Sequence, residues 1–285
     1  MNLYSTAIAR ARADRRPLPA FNVVDLGMVK GVVSTASRLG VPVIVQASAR
    51  TAAAYGPSVV RDMIRSAAAS AGVDVFVHLD HCHDEALLDG AIRAGFDGIM
   101  VDGSHLSYAD NVEFTRKWVA TAHSAGILVE GELGAIQGIE EGVGAAGTRG
   151  EYTAHEVIEF AVETGVDLVG TDVGTAHGMY QAPPEIRYDL ISGIVEGSPA
   201  GFVVHGGSGL DRAALGRLSA CGVAKVNFST DLKVAWNTAL RGLLMECDAV
   251  VEPLAAVTAV ESAVATVCEE KIAALHGPAG GGHPA

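Results

Sequence analysis

Apolar and β-branched residues cluster in eight short runs along the chain. They are LPAFNV from Leu18, VPVIVQA from Val41, VDVFVHL from Val73, GIMVDG from Gly98, ILVEGEL from Ile127, DLVGTDV from Asp167, GFVVHG from Gly201 and VAKVNF from Val223. Each is the length of a strand, and between most of them apolar residues recur at helical spacing. Val29, Val32, Val33 and Ala36 share one helical face, as do Leu87, Leu88, Ala91 and Ile92. The segment TAHEVIEFAVETG opens on a capping box, Thr153 with Glu156, and carries Val157, Ile158, Ala161 and Val162 on one side.

A local repeat joins these elements. LGVPV, AGVDV, AGFDG, TGVDL and CGVAK each set a glycine between a helix and the next strand, the left-handed cap expected where a helix turns back into a parallel strand. Eight such units without a break in composition predict one domain over residues 1–285, an α/β TIM barrel of the (β/α)8 type. A doubly wound open sheet is the alternative, but no G-x-G-x-x-G follows the first strand. Residues 134–150, GAIQGIEEGVGAAGTRG, form a long Gly-rich interval expected to lack regular structure. It reads as a mobile active-site loop, or else as a disordered surface insertion.

Composition narrows the partners. A net charge of −13 argues against a nucleic-acid or anionic-membrane surface, which needs clustered Lys and Arg. The stretch MNLYSTAIARARADRRP has no apolar signal core, and no window of about 18 residues reads as a membrane span, so the chain is expected to be cytoplasmic. Cys82, Cys221, Cys247 and Cys268 are scattered without a C-x-x-C pair and read as free thiols.

In a barrel, chemistry sits at the C-terminal strand ends. Run three ends in Asp80 and His81, four in Asp102, five in Glu130 and Glu132, six leads to His177, seven ends in His205 and GGSG, and eight in NFST. His81, His177 and His205 thus follow three different strands, and three neutral imidazoles with an open position suit a catalytic Zn²⁺. His81 comes from the crowded stretch VHLDHCHD, yet its partners lie 177 − 81 = 96 and 205 − 81 = 124 residues further on. Gly178, the turn Gly206, Gly207, Ser208 and the segment Asn227, Ser229, Thr230 offer open backbone and hydroxyls where this fold commonly binds phosphate.

Six motifs in this order, HLDH, VDGSH, VEGELG, GTAHG, HGGSG and KVNFST, resemble the class II, zinc-dependent fructose-bisphosphate and tagatose-bisphosphate aldolases from about Pro17 to the C-terminal HGPAG. The resemblance implies one catalytic zinc held by His81, His177 and His205 with Glu132 beside it, and a monovalent cation as a further expectation. It implies Asp80 as the acid/base for the hydroxyl proton, and Glu140, with Glu141 adjacent, as the loop residue that moves the proton on the ketone-side carbon. Gly178, Gly206, Gly207, Ser208, Asn227, Phe228, Ser229 and Thr230 correspond to dihydroxyacetone-phosphate contacts. The expected substrate is a ketose 1,6-bisphosphate of the fructose or tagatose type, in a homodimer or homotetramer. Where related sequences often carry an arginine near the C-terminus, this chain offers only Lys271, which leaves another ketose 1-phosphate open.

The remaining polar residues have plainer readings. Asp102 and Glu130 are expected to hydrogen-bond the ligating histidines, His78 to support from one layer deeper, and Asp84 to cap a helix that His83 precedes. His105 could orient a ligand or close a loop. His123, His155, His276 and His283 are expected to be solvated, and Asp172 has no assignment. Two rival functions remain: a Schiff-base enzyme using an inward Lys225, and a non-catalytic barrel subunit that binds sugar phosphate.

Overall fold

In the computed structural model, residues 2–140, 143–144, 151–245 and 250–277 are described, with the backbone alone at 139–140 and 143–144. The strands are β1 (Leu18–Asn22), β2 (Val43–Ser48), β3 (Val75–Cys82), β4 (Gly98–Val101), β5 (Leu128–Leu133), β6 (Ile139–Glu140), β7 (Val143–Gly144), β8 (Leu168–Thr171), β9 (Gly201–Val204) and β10 (Lys225–Phe228). All eight apolar runs became strands of one closed barrel in the order β1-β10-β9-β8-β5-β4-β3-β2, with every neighbouring pair parallel. The expected TIM barrel is therefore present. The interval expected to lack regular structure departs from that reading in one respect: β6 and β7 pair antiparallel, Ile139 with Gly144 and Glu140 with Val143.

The helices are α1 (Leu3–Asp14), α2 (Leu26–Leu39), α3 (Ala49–Tyr55), α4 (Pro57–Ala68), α5 (Glu85–Ala94), α6 (Tyr108–Ser124), α7 (Ala154–Thr164), α8 (Tyr188–Gly197), α9 (Arg212–Cys221), α10 (Thr230–Met245) and α11 (Pro253–His276). Gly40, Gly95, Gly165 and Gly222 of the repeated motif cap α2, α5, α7 and α9 in the left-handed conformation. Thr153 and Glu156 make the reciprocal capping box of α7, whose Val157 and Ala161 are buried. Val162 instead stands 63% exposed, because the apolar stripe of this helix is narrower than the sequence pattern. No described helix is long and apolar enough to cross a membrane.

Two cores follow from the alternation of strand side chains. Outward residues pack beneath the helix ring, with Val45, Val77, Ile99, Val129, Val169 and Val204 all buried there. Inward residues near the strand starts form a second cluster of Ala20, Ile44, Phe76, Leu128, Leu168 and Val203, closed from below by α1. Tyr4 of α1 stacks on Phe76 with ring centroids 4.5 Å apart, and Arg12 donates to the carbonyls of Ser198 and Pro199, each at 2.9 Å. One layer up, the inward positions turn polar: Gln46, His78, Glu130 and Lys225 are all fully buried. Above them, Asp80, Glu132, His205 and Asn227 reach the mouth.

Candidate metal centre and active site

Asp80 and His81 are adjacent, so in a regular strand their side chains would face opposite sides of the sheet. The structure resolves this with a local distortion. His81 takes a left-handed backbone with φ 42°, and the β3–β4 register shifts between Leu79 and Cys82. A non-glycine residue pays for that conformation with strain, and such strain collects at functional sites. The result is that both side chains reach the mouth.

Each of two histidines is oriented from behind by a carboxylate. His81 Nδ1 lies 2.9 Å from Asp102 Oδ2, and Ser104 donates to the other oxygen of Asp102 from its backbone N–H at 3.1 Å and its hydroxyl at 2.6 Å. Burial alone would raise the Asp102 carboxyl; the His81 hydrogen bond, with the Ser104 donors, outweighs it and holds the group well below the usual carboxylate range. His205 Nε2 lies 2.8 Å from Glu130 Oε1. Burial pulls the His205 pKa down against the lift of that bond. With an ionised acceptor behind each ring, His81 carries its proton on Nδ1 and His205 on Nε2. The two remaining nitrogens, His81 Nε2 and His205 Nδ1, then present lone pairs to each other at 2.9 Å.

Two facing lone pairs at that separation suit a shared cation. His177, carried by the loop after β8, completes the set: the ligand atoms of His81, His177 and His205 all lie within 4.8 Å of one another. Its ring centroid is 5.0 Å from His81 and 5.8 Å from His205. Backbone pairing ties it to the Gly-rich interval, since His177 N donates to Gln137 O at 2.8 Å and Gly138 bridges His177. At Gly138, φ is +110° and a Cβ would stand 2.1 Å from His177 O, so a side chain there would break the tie.

Glu132 was expected beside the three histidines. The structure groups it with His81, one of the three, and with Asp102, its Oε2 3.9 Å from His81 Nδ1. That oxygen is buried and has no hydrogen-bond partner among the described residues. Burial, and then the Asp102 charge, push the Glu132 carboxyl well above the usual range. An orphaned carboxylate oxygen and paired imidazole lone pairs both fit a bound divalent ion, and the donor set of nitrogen and carboxylate oxygen suits zinc.

Asp80 faces this cluster from a fixed position. Asn22 Nδ2 donates to its Oδ2 at 2.7 Å, and Gln46 Nε2 donates to Asn22 Oδ1 at 2.7 Å. Asn227 Nδ2 lies 3.4 Å from Asp80 Oδ1 and 3.1 Å from His205 Nδ1. The sequence reading missed Asn22 and Gln46. The inward position of Asn22 at the end of β1, with Gln46 paired beside it on β2, was the available signal.

Beside the histidines lies a small cavity lined by Asn22, His177, Gly178, His205, Gly206, Ser208, Asn227, Ser229 and Thr230. Six of the eight residues expected to contact phosphate are therefore brought together. Gly206 has φ +70°, and a Cβ on it would meet Ala176 O at 2.5 Å; glycine lets this turn lie against the His177 loop. Tyr180 staples the two by accepting from Ala176 N at 2.9 Å and donating to Gly206 O at 2.7 Å. Ser208 Oγ accepts from the N–H groups of Ser229 and Asp231 at the start of α10, while Ser229 Oγ is buried without a partner among the described residues.

The other two differ. Gly207 donates its N–H to Asn227 O and is buried, so it supports the turn. Phe228 points away from the cavity into the outer core, stacked on Phe21 at 5.4 Å, as alternation from an inward Asn227 requires.

The plainer readings sort as follows. His78 is fully buried, with Nε2 3.4 Å from Glu130 Oε2, in the supporting layer expected of it. Asp84 caps α5, and the exposed rings of His83 and His105 meet edge to face at 5.5 Å. His123 pairs with Asp167 at 2.9 Å. His155 is exposed, but His276 is not solvated as expected: it is partly buried with Nε2 2.8 Å from Pro17 O. Asp172 accepts from Gly174 N at 2.8 Å and is buried. Cys82, Cys221 and Cys268 are free thiols. The side chain of Glu140, and Glu141, Cys247 and His283 altogether, lie outside the described residues.

A closed parallel barrel with a three-histidine cluster and a small polar cavity at its mouth defines a candidate metal-dependent barrel enzyme. The chain matches the family Fructose-bisphosphate aldolase class-II over residues 2–279, and it belongs to that family. It is 35% identical over 225 residues to the D-tagatose-1,6-bisphosphate aldolase subunit GatY of Klebsiella oxytoca, covering 79% of each chain. It is 31% identical over 242 residues to the sulfofructosephosphate aldolase of Alkalicoccus urumqiensis, covering 85% of this chain and 84% of the other. The crystal structure of the YdjI aldolase from Escherichia coli K12 shares the fold at 24% identity with a TM-score of 0.81, covering 97% of both chains.

Proposed function

We propose that this chain is a zinc-dependent aldolase that reversibly cleaves a ketose 1,6-bisphosphate, or a ketose 1-phosphate closed by another anion, to dihydroxyacetone phosphate and an aldehyde. The observation that carries this reading is the convergence of Asp80, three histidines and the Gly206–Ser208 turn on one side of the barrel mouth. Family membership supports the reaction class. The names of two relatives, one a bisphosphate aldolase and the other a sulfofructosephosphate aldolase, leave the aldehyde-side anion to experiment.

Retro-aldol cleavage needs three things: a base for the hydroxyl proton beyond the breaking bond, stabilisation of the negative charge that develops on the former carbonyl oxygen, and a proton for the carbon left behind. A divalent ion at His81, His177 and His205 supplies the charge stabilisation as a Lewis acid. Asp80 serves as the base, held on both oxygens by Asn22 and Asn227 so that it keeps its aim through turnover. Glu140 is assigned the carbon proton on resemblance. The phosphate is held by the Ser229 hydroxyl and the open backbone at Gly178 and Gly206. Glu130 and Asp102 keep the imidazole tautomers fixed.

Lys225 as a Schiff-base nucleophile finds no support in the geometry, because its ammonium is fully buried against Glu130. The test of the main reading is a panel of ketose mono- and bisphosphates, including a 6-sulfonated fructose 1-phosphate, with triose phosphate release followed in a coupled assay. Cleavage of any of them by the zinc-loaded protein, abolished by chelation, bears the reading out. Tight binding without cleavage would favour the non-catalytic subunit instead. Assembly as a dimer or tetramer rests on resemblance and is checked by sedimentation.

A further inference from the structure

Lys225 sits at the start of β10 with no exposed surface, in the middle of the barrel axis. Its Nζ donates to Glu130 Oε2 at 2.7 Å. The other oxygen of the same carboxylate takes the Nε2–H of His205 at 2.8 Å. His78 Nε2 also stands 3.4 Å from Oε2, and Tyr4 Oη is 3.3 Å from His78 Nδ1. No other cation pairs with Glu130 among the described residues.

A buried ion pair is a poor device for stability, since apolar residues of similar size often serve the fold as well or better. The layer directly beneath is built that way, from Ala20, Ile44, Phe76, Leu128, Leu168 and Val203. The charged pair is instead placed where one of its members touches a ring of the histidine cluster. A carboxylate with one oxygen free could rotate about its last bond; with Oε2 taken by Lys225, Oε1 has a single place, and His205 Nδ1 is aimed at His81 Nε2.

We propose that Lys225 is a positioning residue for the metal centre: by anchoring one oxygen of Glu130, it makes the other hold His205 with its lone pair toward the ion. This rests on the reading of His81, His177 and His205 as metal ligands. Lys225 touches neither the ion nor the substrate. It acts through Glu130 alone, and its effect is on how tightly and in what geometry the metal is held.

The experiment compares wild type, Lys225→Met, Glu130→Gln and the double variant. Zinc affinity is measured by competition with a chromophoric chelator, the visible absorption of each Co²⁺-loaded protein is recorded, and the metal-free melting temperature is followed separately. Loss of an outer partner of a ligand weakens metal binding about 10- to 100-fold; that range is expected for Glu130→Gln, and a smaller loss, still several-fold, for Lys225→Met together with an altered Co²⁺ band. The double variant should bind zinc no more weakly than Glu130→Gln, because the lysine has nothing left to act on. Wild-type affinity and an unchanged Co²⁺ band in Lys225→Met, with only the melting temperature lowered, would overturn the proposal; so would fully additive losses. Should Lys225→Met not fold, Lys225→Gln keeps a donor for Glu130 and takes its place, with a partial loss of affinity expected and wild-type affinity counting against the idea. A wild-type protein that binds no zinc would overturn the metal reading itself, a result distinct from either of these.

Discussion

Asn22 Nδ2 donates to Asp80 Oδ2 at 2.7 Å, joining the ends of β1 and β3 across β2. Gln46 on β2 braces Asn22 in turn at 2.7 Å, so three neighbouring strands fix one carboxylate. If Asp80 is the base, its removal should cost what positioned proton transfer supplies, about 10²–10⁴-fold in kcat. Asp80→Ala is expected to show that loss at unchanged zinc content. Asn22→Ala, which keeps the base but frees its orientation, should lose about 10-fold or more. Substantial cleavage by Asp80→Ala, measured by triose phosphate release, would remove it from the mechanism.

The paired lone pairs of His81 and His205, 2.9 Å apart, predict that the metal-free protein is the less stable form. Binding to the folded state alone stabilises by about 2.7 kcal/mol at a hundredfold excess over Kd. At roughly 2–4 °C per kcal/mol, chelation should lower the melting temperature by about 5–10 °C, and added Zn²⁺ should restore it. His205→Ala should melt at the same temperature with and without zinc. A wild-type melting temperature indifferent to chelator would count against the centre.

Much of this arrangement is readable from pattern alone. The eight runs, the glycine caps and the carboxylates behind the histidines, Asp102 and Glu130, all follow from period-two strands that end at one face. What pattern could not show is how Asp80 and His81 come to share that face, because it depends on a left-handed residue and a register shift that no residue type announces. Glu132 is expected near the metal, and its place beside His81 and Asp102 follows from the pairing of β5 with β4. Phe228 belongs to the motif, yet strand alternation turns it outward into the core against Phe21.

His78 gives the protein a pH dependence that is separate from catalysis. Burial first, and then the Lys225 ammonium, hold its imidazole down to about 3 from an ordinary value of 6.5. Between those two values the unfolded chain binds a proton that the folded chain refuses, so stability falls as pH falls from about 6.5 toward 3. From pH 6.5 to 5 this group alone should withdraw roughly 1.5 kcal/mol. Denaturant melts of metal-free protein at both values should show His78→Gln losing less over that window than wild type by about that amount. Equal losses in the two proteins would mean that His78 is not held neutral.

Lys271 is the sole lysine of α11, and the structure commits it to an acidic partner. Its Nζ lies 2.6 Å from Asp231 Oδ2, both side chains largely buried, and Asp231 accepts from Gly209 N at 3.1 Å. Lys271 therefore braces the start of α10 from behind the Gly206–Gly209 turn. Removing one partner of a mostly buried pair strands the other, so Lys271→Ala is expected to cost about 1–3 kcal/mol of stability. It should also raise KM by the same factor for a ketose 1-phosphate and for the corresponding 1,6-bisphosphate. Both substrates share the phosphate proposed to bind at the α10 turn, and only the second has one at the aldehyde end. A KM penalty confined to the bisphosphate, read in the coupled assay, would show that Lys271 leaves Asp231 to bind that second phosphate.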